Sequence, residues 1–416
     1  MVHAPRIGLL KALTFLMFAM FAMTTDSVGV IIPQVIKRYS LGMTAGGAFQ
    51  YATMSGISIA AFGLGFLADR WGRKRSIVAG LLLFGVSSAL FAVGHAFMFF
   101  VSLLFISGLG IGVFKAGALA LIGDISRSTK EHAATMNMVE GFFGVGAIVG
   151  PAVVARLLLS GLDWKWLYVI ASVLCAILVA LAALARFPTP PARATVRQRR
   201  LSETWSLLRD PFALGFSLAL MLYVAAEAAV YVWAPTYLAG YHGPFAWFAL
   251  YVVSIFFVLR AVGRFLGAWL LARLAWPVVL AVCSCGVFAC FLAGCIGGRG
   301  VAAIVLPLSG LFMSVLYPTI NSKGISSFAR PRHGEIAGLL LFFTCLSAVL
   351  APLAMAALSD ALHDPKYSLY LASAFAGLLA ALGVWNSVSN PARKRLAERD
   401  DEDYLDEPAV AAGVIS

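Results

Sequence analysis

Five ionisable side chains lie inside long apolar stretches of this sequence. They are Asp26, Lys115, Glu140, Glu227 and Arg260. A charge in the hydrocarbon core of a membrane costs at least about 2.5 to 3.5 kcal/mol, so each of the five needs a partner of opposite charge or access to water. Two interpretations follow. The five form structural ion pairs, or a shared cation lets one carboxylate exchange a proton while another stays paired.

The depths of these residues favour proton exchange. Lys115 lies nine residues before Asp124, and Glu140 lies nine residues after Glu131. At a helical rise of about 1.5 Å per residue, both side chains are about 13 Å above the same turn of the chain. We expect Lys115 and Glu140 to face each other, with Asp26 as the third member of the cluster.

Amides and aromatic rings in the same stretches suit a polar solute. Sugars pack their C–H side against flat aromatic faces and present their hydroxyls to amide or carboxylate groups. An aromatic residue in such a stretch is more often a contact between helices or an interface anchor, so the amides are the stronger candidates. The residues predicted to bind the solute are the amides Gln50, Asn137 and Asn321 and the rings of Trp233 and Tyr317.

Composition and hydropathy identify the elements that position these residues. The 416 residues are 61% hydrophobic and 12% charged, and the mean hydropathy is +0.90, which excludes a soluble globular domain. A spanning helix needs about twenty apolar residues, and this rule predicts an all-α membrane protein with twelve transmembrane helices. The predicted spans are 12–36, 44–68, 76–94, 96–124, 132–159, 165–187, 211–239, 245–272, 276–296, 301–325, 334–359 and 366–389.

The net charge of +12 indicates orientation and not a nucleic-acid partner, because the basic residues lie in short loops between apolar spans. Lys and Arg are concentrated before the first span, in alternate loops and after the last span, which predicts that both termini are cytoplasmic. A Pro- and Arg-rich connection divides the chain. We expect six-helix bundles at 1–187 and 211–390, a cytoplasmic linker at 188–210 and a disordered cytoplasmic tail at 391–416.

The two halves are related by a weak internal repeat. A shift of about two hundred residues places Pro151 near Pro352 and Asp26 on Glu227. Such a repeat is typical of transporters in which two pseudo-symmetric bundles surround a cavity at mid-membrane depth. Carboxylates in equivalent places of both halves fit a central cavity approached by the first and seventh helices.

A short basic motif joins the second and third spans. It reads Gly-Phe-Leu-Ala-Asp-Arg-Trp-Gly-Arg-Lys-Arg and resembles the loop between the second and third helices of the major facilitator superfamily of secondary transporters. The resemblance covers nearly the whole chain and implies the twelve-helix fold of that superfamily. The positions that carry the motif are Gly65, Asp69, Arg70, Gly72, Arg73 and Lys74.

We expect this motif to act as a gate. Unpaired amides at the start of a helix carry a partial positive charge. Asp69 is predicted to face the start of the eleventh helix near Gly334, with Arg73 beside it, when the cytoplasmic side is closed.

Two further stretches resemble the fucose, glucose and galactose permease branch of the superfamily. One contains Glu227 and Trp233 in the seventh span, and the other contains Asn137 and Glu140 in the fifth. The resemblance implies that these four residues belong to the sugar and proton path. The chain departs from that branch at Lys115, which stands where some members carry an acid, and the acid of the first helix lies about a turn early.

These observations predict a secondary active transporter of the bacterial inner membrane. It would move a small polar solute, a monosaccharide, together with protons by alternating access. The sequence has no glycine-rich phosphate loop with its lysine, so its energy must come from a gradient. We expect no enzymatic activity, cofactor or metal site, and a monomer whose partners are the solute, protons and the lipid bilayer.

The sequence leaves alternatives open. One is a proton-driven exporter of drugs or metabolites, and another is a sensor or scaffold that transports nothing. Sodium also remains open as the coupling ion, and nothing in the sequence separates a hexose from a pentose or another polyol.

Overall fold

The computed structural model describes residues 7–63, 70–126, 129–188, 207–329 and 332–398, and within them every regular element is helical. Several predictions fall elsewhere. Gly65 and Asp69, nearly all of the predicted linker and most of the predicted tail lie outside the described residues, so the gate at Asp69 stays a prediction.

Helices α1 to α12 are numbered in chain order. The first six are α1 (Ile7–Thr25 and Val28–Tyr39), α2 (Met43–Gly46 and Ala48–Gly63), α3 (Arg73–Ala89 with a 3₁₀ turn at Leu90–Ala92), α4 (Phe97–Ile125), α5 (Thr129–Leu159) and α6 (Trp166–Leu184). The others are α7 (Pro211–Ala228, a π-helical turn at Ala229–Trp233, then Ala234–Tyr237), α8 (Ala246–Leu250 and Val252–Arg273), α9 and α10 within Trp276–Ser326, α11 (His333–Ala361) and α12 (Lys366–Ser389).

The prediction of twelve crossings is confirmed. Ten of the described helices are long and apolar enough to cross a membrane, with Trp276–Ser326 counted once. That segment reverses at Gly298, where φ is 67°, a left-handed conformation that favours glycine. Gly286 of α9 consequently lies beside Phe312 of α10, so the segment crosses twice, and Ala48–Gly63 supplies the remaining crossing.

The first helix begins earlier than predicted. The hydropathy rule placed its start at residue 12, whereas α1 begins at Ile7. The Lys11 ammonium forms an ion pair with the Glu131 carboxylate of α5 at 2.7 Å, so a charged side chain is accommodated inside the helix. This pair also joins α1 to α5 near their ends.

Helices α1 to α6 pack mainly with one another, and so do α7 to α12. Within the first half, α1 lies on α5, and both α2 and α3 lie on α4. The Arg73 guanidinium of α3 pairs with the Asp124 carboxylate of α4 at 2.7 Å, and both side chains are only 4% exposed. Gly72 precedes α3 with φ of 86°, which allows the sharp turn into that helix, while Arg70 is exposed.

The two halves meet chiefly at one membrane face. We call the face at which α1 begins and α6 ends the linker face, and the other the opposite face. At the opposite face, the Asp360 carboxylate of α11 accepts hydrogen bonds from the backbone N–H groups of Met43 and Thr44, each at 2.7 Å. The Ser254 hydroxyl of α8 donates to the Ile148 carbonyl of α5 at 3.0 Å. These contacts hold the opposite face closed.

Helices α1 and α7 make the tightest backbone contact between the halves. The position that a β-carbon would take at Gly29 is occupied by the Tyr231 carbonyl oxygen. Pro235, four residues after Tyr231, has no N–H to donate the α-helical hydrogen bond to that oxygen. Only glycine permits this approach, because any larger residue would push the two helices apart.

A Gly29→Ala substitution should therefore open the opposite face. The added methyl meets a backbone atom, which cannot turn aside, and overpacking of this kind costs about 1 to 3 kcal/mol. In a cysteine-free background carrying Thr236→Cys, we expect faster labelling from the opposite face by an impermeant maleimide. Gly144 of α5 has open space around its β-position, so Gly144→Ala is the matched control and should leave the labelling rate unchanged. Equal rates in both variants would show that the contact does not limit opening.

The Asp360 carboxylate should contribute to the same closed state. Asp360→Asn replaces one acceptor oxygen by a donor, and a hydrogen bond to a charged group is worth about 1.5 to 3 kcal/mol. We expect at least a roughly tenfold shift toward the open form in the same labelling assay. Asp163 is also at the opposite face but pairs with Arg38 of its own half at 2.7 Å. Asp163→Asn should therefore have no such effect, and an identical shift in both variants would argue for a general charge effect.

Candidate functional site

The candidate site is built around interruptions in α1 and α7. Helix α1 is interrupted at Asp26 and Ser27, and the Thr24 hydroxyl donates back to the Phe21 carbonyl at 2.8 Å, a pattern that often bends helices. Helix α7 changes to a π-helical turn two residues after Glu227. Such turns are frequent at functional sites. Each acid thus lies beside an interruption of its helix, in equivalent places of the two halves.

The Glu227 carboxylate is the acceptor at the centre of a small polar network. It forms an ion pair with the Arg260 guanidinium of α8, and the Tyr223 hydroxyl donates to its Oε1 at 3.1 Å. The side chains of Glu227 and Arg260 are 12% and 19% exposed. Glu227 lies sixteen residues after Pro211, or about 24 Å from the linker-face end of α7. The pair is therefore deep but still reached by solvent.

Asp26 lies on the other side of the seam between the halves. Its carboxylate accepts a hydrogen bond from the Thr25 hydroxyl at 2.9 Å and is within electrostatic range of Glu227, Arg260 and Lys115. Among the described residues, no cation comes within ion-pair distance of it. Asp26 is thus a buried acid without its own counter-ion.

The predicted contact between Lys115 and Glu140 is wrong. Glu140 instead faces α8, with its Oε2 3.9 Å from the Arg264 guanidinium and the two side chains 52% and 43% exposed. The Lys115 ammonium lies over the rings of Phe18 and Phe21, 5.8 and 5.4 Å from their centres. Equal depth brought the two residues to one level, but they project in different directions around their helices.

The predicted solute-binding residues fall into two groups. Asn137 is exposed, one turn before Glu140 on the same face of α5, while Tyr317 and Asn321 are half-buried on α10. All three keep some solvent exposure in this conformation. The Tyr317 ring is 5.7 Å from the Tyr223 ring, which places it next to the Glu227 network.

Gln50 and Trp233 are covered in this conformation. The fully buried Gln50 amide donates to the Tyr231 hydroxyl across the seam at 3.4 Å, and its Oε1 has no hydrogen-bond partner among the described residues. The Trp233 indole donates to the Pro352 carbonyl of α11 at 3.0 Å. Both contacts belong to the closed opposite face, so a solute would meet these side chains only after that face opens.

Sequence reasoning missed Asp360 as a functional residue. It lies just beyond the predicted span 334–359, where an acid is usually read as part of a loop. One signal was present, since a carboxylate at the C-terminal end of a helix is unfavourable with the helix dipole unless another group compensates it. In this structure the compensating group is the start of α2.

A separate apolar cavity of about 220 Å³ lies within the second half, away from Glu227, and is lined by α7, α9, α10, α12 and the first residues after α12. Its only polar side chains are Ser284 and Asn386. It lacks the charged groups of the seam and offers little to a polar solute. Among the described residues, no cluster of three or more His, Cys, Asp or Glu side chains could hold a metal ion.

Comparisons with known proteins agree with this architecture. The family model of the Major Facilitator Superfamily matches residues 14–352. The L-fucose-proton symporter of Escherichia coli K12 is 26% identical over 355 residues, covering 77% of this chain and 80% of that protein.

Other similar proteins have different named substrates. The 4-hydroxybenzoate transporter PcaK of Pseudomonas aeruginosa is 30% identical over 188 residues, 45% of this chain and 41% of that protein. The quinolone resistance protein NorA of Staphylococcus aureus is 36% identical over 131 residues, 30% of this chain and 33% of that protein. A solved bacterial homologue of the human lysosomal transporter Spinster, inward-facing and occupied, has a TM-score of 0.71 over 97% of both chains at 15% identity, which shows the fold alone.

The ion pair between Glu227 and Arg260 gives a test of the site that needs no substrate. Arg260→Gln leaves the Glu227 carboxylate buried without its cation, and breaking a buried pair in this way costs about 3 to 5 kcal/mol. We expect a marked fall in thermal stability in detergent. The double variant Glu227→Gln with Arg260→Gln removes both charges and should recover much of the loss. If the double variant loses as much stability as Glu227→Gln and Arg260→Gln lose in sum, the two charges are not coupled.

Proposed function

The chain belongs to the Major Facilitator Superfamily, and on that premise we propose that it takes up a monosaccharide together with protons. A member of this superfamily is a transporter and not an enzyme. The observation that carries the proposal is the ion pair of Glu227 with Arg260, which lies beside the π-helical turn of α7 and within electrostatic range of Asp26, an acid with no counter-ion among the described residues. Similarity to a named L-fucose-proton symporter over 77% of the chain supports the choice of solute and coupling ion.

The orientation in this proposal follows from charge. The linker face carries Arg73, Lys74 and Arg75 at the start of α3 and further basic residues after α12, whereas the opposite face carries few. Since Lys and Arg are enriched on the cytoplasmic side of membrane proteins, we place the linker face in the cytoplasm. The closed opposite face is then periplasmic, and the described conformation is open to the cytoplasm.

Alternating access would couple the solute to the proton through Glu227. In a conformation open to the periplasm, a proton on Glu227 would cancel its charge and break its ion pair with Arg260. The freed guanidinium, with Asn137, Tyr317 and Asn321, would offer hydrogen bonds to the solute hydroxyls. Coupling requires that solute and proton favour the same conformational change. In the cytoplasm-open state, loss of the proton would restore the ion pair and expel the solute.

Uptake into proteoliposomes tests this function. A proton moving down about 100 mV supplies about 2.3 kcal/mol, enough for roughly fiftyfold accumulation of a neutral solute. We expect at least one labelled sugar from a panel of hexoses and pentoses, including L-fucose, to accumulate only when the outside is acidic. Uptake that is the same with and without the pH gradient would reject proton coupling, and a sodium gradient then tests the other ion.

Export remains the second candidate because NorA matches part of the chain. It makes a different prediction in the same vesicles. An exporter would move amphipathic dyes against the direction of proton entry and leave sugars unmoved. Proton-driven sugar accumulation without dye movement would favour uptake over export.

Glu227→Gln separates proton transfer from solute binding. Glutamine keeps the size and an acceptor oxygen but cannot release a proton. If Glu227 carries the proton, the variant should exchange sugar down its gradient yet fail to concentrate it. If Glu227 mainly binds hydroxyls, affinity should fall by about 1.5 to 3 kcal/mol with coupling intact. Asp364→Asn, which alters an exposed acid at the opposite face, is the control and should change neither the accumulation of sugar nor its affinity.

A variant Glu227→Gln that accumulates sugar like the parent, with unchanged affinity, would remove Glu227 from both roles. Asp26 and Glu140 would then be the remaining candidates for proton transfer.

A further inference from the structure

Lys115 is a cation for which the described part of the chain provides no oxygen partner. Its ammonium is half-buried on α4 and lies over the ring faces of Phe18 and Phe21, which attract a cation but carry no net charge. Among the described residues, no carboxylate lies within ion-pair distance of it, and no hydrogen bond from it is formed. The acids Glu227 and Glu140 already face the guanidinium groups of Arg260 and Arg264.

The other lysines that lie over aromatic rings show that this arrangement is unusual in the molecule. Lys74 lies over Phe187 and donates to the Ala183 carbonyl at 2.6 Å. Lys165 lies over Phe100 and donates to the Gly94 carbonyl at 3.3 Å. Lys366, over Tyr367, pairs with the Asp364 carboxylate at 3.0 Å. Within the described part of the chain, each of these has an oxygen ligand, and Lys115 does not.

Lys115 also lies near residues of both halves of the chain. It is within electrostatic range of the Cys345 thiol of α11, and that thiol has the Ser58 hydroxyl of α2 as a hydrogen-bond partner. The ammonium is thus at the seam between the halves. It lies ten residues before Ile125, or about 15 Å from the linker-face end of α4, on the way to the deeper Glu227.

The charge balance of the seam indicates what Lys115 lacks. With Glu227 and Glu140 matched to arginines, the groups left are the Lys115 ammonium and the Asp26 carboxylate, which interact only at a distance. A proton on Glu227, as proposed above, adds one positive charge to this seam and leaves one cation in excess over the acids, which is unfavourable in a partly buried site. An anion entering with that proton would restore neutrality.

We propose that the transported solute carries a carboxylate and that Lys115 receives it. This inference rests on the proposed transport function and narrows its solute from a neutral sugar to a sugar acid. The carboxylate would bind the ammonium between α4 and α11, while the hydroxyls of the solute face Asn137, Tyr317 and Asn321. One monovalent anion with one proton then crosses without net charge.

Binding measurements on the purified full-length chain in detergent test this inference without any gradient. The probes are matched pairs, glucose with glucuronate and galactose with galacturonate, and the readout is the concentration that gives half-maximal thermal stabilisation. We expect at least one acid to act at a concentration at least tenfold lower than its neutral partner. Lys115→Gln should abolish this preference and leave the neutral sugars unchanged.

Two further variants control this experiment. Lys165→Gln removes a lysine that also lies over a ring but has its own oxygen ligand, and the preference should survive it. Lys115→Arg keeps the charge and should keep the preference, which separates loss of charge from loss of folding if Lys115→Gln is unstable. No stabilisation by any of the acids, better stabilisation by the neutral sugars, or an acid preference that survives in Lys115→Gln would overturn the proposal.

The outcome is distinguishable from a failure of the proposed function. An acid preference lost in Lys115→Gln, together with uptake that ignores the pH gradient, would reject proton coupling and keep the role of Lys115. Proton-driven accumulation of a neutral sugar without any acid preference would keep proton coupling and reject the role of Lys115.

Discussion

A charge or an unpaired backbone group that faces hydrocarbon must find its partner inside the protein, and this constraint governs the whole molecule. It makes every regular element of the described chain a helix, since a helix satisfies its own backbone. It also explains why Arg73 and Asp124 are found together between α3 and α4 with almost no exposure. The same rule makes Asp26 and Lys115 informative, because each departs from it in a region where the other charges are matched.

The interruptions in α1 and α7 place an acidic side chain beside a point where the helix can change direction. The Thr24 hydroxyl, which donates back to its helix near Asp26, and the π-helical turn that follows Glu227 interrupt regular hydrogen bonding. A helix that is already interrupted can change its direction there at little further cost. Since the acids lie at those points, a change in charge would act directly on the segments that close the opposite face, with no long chain of contacts in between.

Hydropathy predicted the twelve helices, because burial in lipid acts on each helix separately. What it could not predict is how the helices face one another. Equal depth suggested that Lys115 meets Glu140, but depth gives a height and not a direction around the axis, and Glu140 faces Arg264 instead. The bond of Asp360 to the start of α2 joins residues more than three hundred positions apart. The pairing of Asp360 with the start of α2 depends on the tertiary arrangement and on the conformational state. The burial of Trp233 against the Pro352 carbonyl depends on the same two factors.

The contact between Gly29 and the Tyr231 carbonyl has a consequence for how the sequence can vary. Every amino acid has a carbonyl oxygen, so for this contact the residue at 231 is free to change. The residue at 29 is not, because only glycine leaves room. This contact should therefore restrict natural variation on one side only: it fixes glycine at position 29 of α1, whereas position 231 of α7 is restricted by side-chain contacts alone, such as that of the Tyr231 hydroxyl with Gln50.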